Sequence, residues 1–135
     1  MKRTPLRKKS KTSTALLQRK IWQLCKEITR KKYGNRCYTC GATGLVGSNW
    51  HTGHMLAKAS VGAYLKYDLR LLRPQCYTCN IHYGGQGAEF YRRMMVEIGP
   101  TAMDELLRDK QKVVNAKDHY QKIYEDYQKL INQHV

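Results

Sequence analysis

Two copies of one tetrapeptide, Cys37-Tyr-Thr-Cys40 and Cys76-Tyr-Thr-Cys79, constrain this chain more than any other feature. Together they bring four thiolates to one tetrahedral Zn²⁺, an arrangement that leaves no coordination position open for chemistry. The spacing therefore predicts structural zinc at Cys37, Cys40, Cys76 and Cys79. A redox pair fits less well, because two similar pairs in one small basic chain match a single ion. His51 and His54 lie between the pairs and Asn80 follows the last cysteine directly. None of the three is needed for the zinc, so all are free for other work.

The metal matters because the rest of the chain offers little to fold with. At 135 residues it suits one domain, and its 41% apolar content includes ten tyrosines and one phenylalanine. A core that small is marginal without a staple. The fifth cysteine, Cys25, lies on the apolar face of a predicted helix and reads as a buried, inert thiol. An odd count in two paired knuckles favours reduced thiolates in a cytoplasm over a secreted disulfide framework.

Charge narrows the partners. The formal net charge is +15, and residues 1–36 hold thirteen lysines and arginines against one acid, Glu27. Such density repels itself unless a polyanion neutralises it, and nucleic acid is the commonest one. A membrane surface is the rival, but the basic arm has no large apolar face to insert. No run is long enough to span a bilayer, and residues 1–13 lack the apolar centre of a signal peptide.

Periodicity lays out the elements. Residues 1–13 read as a flexible basic arm carrying Lys2, Arg3, Arg7, Lys8, Lys9 and Lys11 as phosphate contacts. Residues 14–34 form an N-terminal helix with Leu17, Ile21, Leu24 and Ile28 on one face and Gly34 as its stop. Residues 42–50 read as a hairpin or loop, 50–56 as a short strand, 57–67 as a linker and 69–72 as extended. A helix is expected over 88–98, stopped by Gly99-Pro100, then one over 102–113 capped by Thr101, and a last over 116–133 capped by Asn115. The stripe Tyr120, Ile123, Tyr124, Tyr127, Leu130 and Ile131 on that last helix serves either the domain's own core or a two-fold homodimer interface. The knuckles lie about 35 residues apart, a distance common in treble-clef folds, so the expected class is α+β: a small treble-clef zinc domain over 35–99 flanked by helices at 14–34 and 100–135.

Histidines three apart on an extended strand face opposite ways, so His51 and His54 share one site only if Gly53 kinks the strand. A neutral imidazole suits the activation of water near neutral pH, although either histidine alone is equally well explained by packing. Asn80 opens the helix that the zinc would pin. Its carbonyl oxygen is thereby placed to ligate a hard cation such as Mg²⁺, or its side chain caps the helix.

The run Leu71-Leu72-Arg73-Pro74-Gln75-Cys76-Tyr77-Thr78-Cys79-Asn80, with Gly84-Gly85 and Glu89-Phe90-Tyr91, resembles the phage NinG/Rap recombination nucleases. Gly53-His54, the Lys2-Arg3-Thr4-Pro5-Leu6 start and the tyrosine-bearing last helix are similar too. The Cys-x-x-Cys…Cys-x-x-Cys-Asn framework is also similar to phage T4 endonuclease VII, within the wider HNH, or ββα-metal, group. The resemblance implies an HNH-like core over 35–99 and metal-dependent cutting of branched recombination intermediates such as four-way junctions, in the cytoplasm of a phage's host. His54 would be the general base. Asn80 would help hold Mg²⁺, with Mn²⁺ as a substitute, and Arg73, Arg92 and Arg93 would clamp phosphates. Many HNH enzymes carry Asp or His immediately before the base, where this chain has Gly53. His51, Glu89 or Asp68 must then complete the metal shell; His82 is a lesser candidate. The competing expectation is a non-catalytic zinc module that binds nucleic acid.

Overall fold

The computed structural model describes the backbone of residues 8–133 and the side chains of residues 14–133. The roles assigned to Lys2, Arg3 and Arg7, and to the side chains of Lys8, Lys9 and Lys11, lie outside the described residues. Four helices surround a two-stranded sheet: α1 (Lys8–Tyr33), β1 (His51–His54), α2 (Ala63–Lys66), β2 (Leu72–Gln75), α3 (Gly87–Arg108) and α4 (Ala116–Gln133). None of these helices is long and apolar enough to cross a membrane.

Helix α1 begins at Lys8, earlier than its apolar periodicity announces. Residues 8–13 contain no glycine or proline, and once a helix is nucleated each further residue costs little. It ends where Gly34 adopts φ 76° and its N–H bonds the Arg30 carbonyl. The stripe of α4 packs on α1: Tyr120 and Tyr127 join Ile21, Cys25, Tyr67 and Leu72 in one core, with Ile123, Tyr124 and Leu130 against it. The face considered as a two-fold interface is thus largely used within the chain. Asn115 caps α4 as expected, its Oδ1 accepting from the Asp118 N–H at 3.0 Å.

The expected break falls at Gly99-Pro100: Gly99 leaves helical geometry (φ 84°), and a second helical segment of α3 runs on to Arg108. Phe90 and Met94 from before that break and Met103 and Leu106 from after it join Met55, Leu65 and Leu71 in the second core. The break lets the two segments pack on one cluster. Residues 57–67, expected as a linker, contain the short α2, whose Leu65 enters that core. The extended reading of 69–72 holds from Leu72 on; Leu69–Leu71 form a 3₁₀ turn capped by Asp68.

Strand β1 pairs antiparallel with β2, His51 opposite Gln75 and His54 opposite Leu72. Two contacts lay β1 along α1. The Arg30 guanidinium sits over the Trp50 ring at 4.4 Å, and Trp22 stacks on His54 with centroids 5.1 Å apart and 16° between planes. Eight helical residues rise about 12 Å and four strand residues about 13 Å, so the two contacts fall in register.

Candidate metal centre and the corner beside it

Cys37, Cys40, Cys76 and Cys79 converge, with all four sulfurs within 4.8 Å of one another. The Cys40 and Cys76 sulfurs are 3.8 Å apart. A tetrahedron with Zn–S bonds of about 2.3 Å has an edge of about 3.8 Å, so the cluster fits a zinc ion. The electrostatics agree. Burial would raise the Cys37 thiol, but N–H groups of the knuckle backbone and the Thr39 hydroxyl outweigh it and bring it down to about 6. Burial and the neighbouring sulfurs push Cys79 up to about 12. One thiolate is readily accommodated, whereas four need a cation among them.

A buried glutamine bolts the two knuckles together. Gln75, fully buried on β2, donates from Nε2 to the Thr39 hydroxyl at 3.0 Å and to the Gly85 carbonyl at 2.9 Å. It thereby joins the first knuckle to the turn after the second. Its side chain fills the space in front of Gly53: a Cβ there would lie 1.9 Å from Gln75 Oε1. Gly53 is therefore required by packing, whatever its bearing on a metal shell. Nothing in the sequence around Gln75 announces this role.

The second knuckle opens a five-residue π-helical turn, Thr78–His82, in place of an ordinary helix start. Such turns are rare and recur at functional sites. This one carries Asn80 to His51, with the Asn80 amide 2.9 Å from His51 Nδ1. His51 Nε2 lies 2.9 Å from the Ser48 carbonyl, to which only an N–H can bond, so the proton sits on Nε2. Nδ1 is then the unprotonated nitrogen facing Asn80. Metal-binding histidines are commonly oriented in this way, by a carbonyl on the far nitrogen. Asn49 steadies the same corner, its Oδ1 accepting from the Tyr77 N–H at 2.8 Å. Ser48 and Asn49 went unmarked in the sequence because their turn has no regular period, and Tyr77 because nothing in its tetrapeptide distinguishes it from Tyr38.

His54 is not part of that corner. It lies against Trp22, and burial, aided by nearby Lys58, pulls it down to about 4, so it is neutral at neutral pH. Its Nε2 is buried without a protein partner. Strand β1 runs unbroken through Gly53, and the two histidines go to different neighbours, as alternation requires.

The carboxylates offered for the metal shell are engaged elsewhere. Glu89 binds Arg92 and Arg93, which hold it down at about 2. Asp68 binds the Arg70 backbone and guanidinium. Apart from the cysteines, no three His, Cys, Asp or Glu residues converge among the described residues. His82 is exposed, its ring edge-on to Tyr83. Arg73 is not available as a phosphate clamp: it is 2% exposed, bonded through two nitrogens to Glu97 and lodged between Tyr33 and Tyr38. Placed centrally on β2, it faces the core instead of solvent. Arg92 and Arg93 keep much of their surface in water while pairing with Glu89. A cleft of about 1020 Å³ between the end of α1, the α3 kink and the end of α4 is lined by none of His51, His54 or Asn80. His51 and Asn80 are both half-buried.

Comparison with known proteins agrees with this frame. A family model described as the bacteriophage Lambda NinG protein matches residues 1–134. Protein ninG of Salmonella phage P22 is 36% identical over 74 residues, 54% of this chain and 34% of that protein. Protein ninG of Escherichia phage 933W is 31% identical over 70 residues, 52% of this chain and 33% of that protein. The chain thus spans about a third of the length of these curated relatives. No solved structure matches. With a family model covering nearly its whole length, the chain belongs to the NinG family of bacteriophage proteins.

Proposed function

We propose that this protein is a metal-assisted DNA endonuclease that cuts branched recombination intermediates, with a structural zinc ion in the four-cysteine cluster. The observation that carries the reading is the His51–Asn80 corner: an imidazole whose Nε2–H is tied to a carbonyl and whose free Nδ1 faces a carboxamide 2.9 Å away. Turning the amide so that Oδ1 faces His51 gives a nitrogen and an oxygen donor to one divalent cation. Imidazole nitrogen suits Mn²⁺ as well as the Mg²⁺ suggested by the resemblance. Such a cation, when bound, lowers the pKa of water and offsets charge on the phosphate. His54, the general base that the resemblance implies, lies apart from the corner against Trp22, so in this reading the water's proton passes to bulk solvent. The net charge of +15 supplies long-range attraction to the DNA backbone, which positions without reading sequence.

A second reading, a binding module without catalysis, draws on the absence of converging carboxylates among the described residues. Cleavage of an end-labelled four-way junction with Mg²⁺, with Mn²⁺ or with neither added separates the two. The nuclease reading expects metal-dependent cuts near the branch, reduced at least about 100-fold in His51→Ala and Asn80→Ala, with binding retained. Tight binding without cutting in either metal would establish the module instead.

A further inference from the structure

We propose that Tyr77, Ile81 and Tyr83 form a stacking ridge for unpaired nucleobases beside the His51–Asn80 corner. The inference rests on the nucleic-acid reading above and supplies a source for its preference for branched over continuous DNA. The repeated tetrapeptide makes the argument sharp. In the first knuckle, Tyr38 packs against Phe90, with centroids 5.2 Å apart, and bonds Glu97 through its hydroxyl. In the second, Tyr77 holds the same position and is 52% exposed. Ile81 is exposed equally and Tyr83 by 58%. Three large apolar side chains left in water within seven residues form a patch that marks a contact surface.

The ridge is placed by the same backbone that places Asn80. Tyr77 and Ile81 stand four residues apart on one helical turn, and so on the same side, with Asn80 beside Ile81. The Tyr77 ring meets His51 edge-on at 5.6 Å, and its backbone N–H is held by Asn49. The occupant follows from charge and ring chemistry. A chain of net charge +15 repels basic partners and attracts polyanions. Of the groups a nucleic acid offers, base faces stack on tyrosine irrespective of sequence. In continuous duplex those faces are covered by neighbouring bases. At a branch or gap they are open. The ridge therefore discriminates DNA structure without reading base edges.

The test is binding in buffer without added Mg²⁺ or Mn²⁺, where metal-dependent cutting is absent and the structural zinc stays in place. The probes are a gapped duplex with 2-aminopurine at the unpaired position and a fully paired duplex of the same sequence. Wild type should quench the probe. Tyr77→Ala/Tyr83→Ala should lose the quench and bind gapped DNA about tenfold more weakly, with paired-duplex affinity nearly unchanged. Tyr77→Phe should retain both properties. Zinc content and circular dichroism report folding, and Tyr83→Ala alone, in a residue with no contact to His51, serves if the double variant fails to fold. No loss, or equal loss on both DNAs, would overturn the ridge and leave the nuclease reading standing. Failure of wild type to bind either DNA would overturn both.

Discussion

The two Cys-Tyr-Thr-Cys segments are identical in sequence and opposite in circumstance. In the first, Thr39 is buried, holding Gln75 and approaching the Cys37 sulfur, and Tyr38 reaches back to α3. In the second, Thr78 and Tyr77 face solvent and the segment opens a π-helical turn. Each segment brings its two thiols to the same cluster. What the middle residues do is decided by long-range neighbours: the first knuckle follows α1 and leans on β2 and α3, while the second ends β2 and turns outward. The first therefore anchors the fold, and the second presents a surface.

The largest test removes what they share. Zinc extraction, or Cys76→Ser, should unfold the knuckles and sheet, since structural zinc in small domains contributes on the order of 10 kcal/mol. Zinc analysis with a thermal melt checks this, and a stable, well-folded apo protein would break the pairing of the knuckles through a metal. Next comes the asymmetry. Tyr38→Ala should cost about 3 kcal/mol, while Tyr77→Ala should move stability by less than about 0.5 kcal/mol in denaturant titrations. Equal costs would erase the distinction between anchor and surface.

Acid probes the strand between them. His54 is depressed to about 4 from an ordinary 6.5. Above pH 6.5 neither folded nor unfolded protein protonates it. Between 6.5 and 4 the unfolded chain takes a proton that the folded one refuses, so stability falls as pH falls, by up to about 3 kcal/mol. His54→Leu should flatten that part of the pH–stability curve while leaving the knuckles' zinc affinity at neutral pH unchanged. Gly53→Ala should cost about 2 kcal/mol by crowding Gln75, and measured coupling in Gly53→Ala/Gln75→Ala should be favourable. Smallest, Thr39→Val should cost about 1 kcal/mol through its lost hydrogen bonds, and Thr78→Val close to none.

Much of this was visible in the residues. Helix α4 and its Asn115 cap follow from period and capping chemistry, and the four-cysteine cluster from spacing alone. The break at Gly99-Pro100 falls where its residues place it: Gly99 leaves helical geometry and a second helical segment follows to Arg108. Arg73 looked like a phosphate ligand because its charge is visible in sequence, whereas Glu97, which neutralises it, is 24 residues away. Gln75 was invisible for the opposite reason: a polar residue before a knuckle carries no signature of burial. The candidate site was legible to the level of its residue types. Which histidine meets Asn80 depended on strand register, which a four-residue strand does not announce.

The contact between Gly53 and Gln75 also has a historical meaning. A family member carrying a side chain at the position of Gly53 cannot have reached it by that single change without expelling the glutamine that joins the knuckles. The tolerated route shortens the residue at 75 first, and the reverse order passes through a crowded, weakened intermediate. The two positions should therefore vary together among relatives, with a larger residue at one accompanied by a smaller residue at the other.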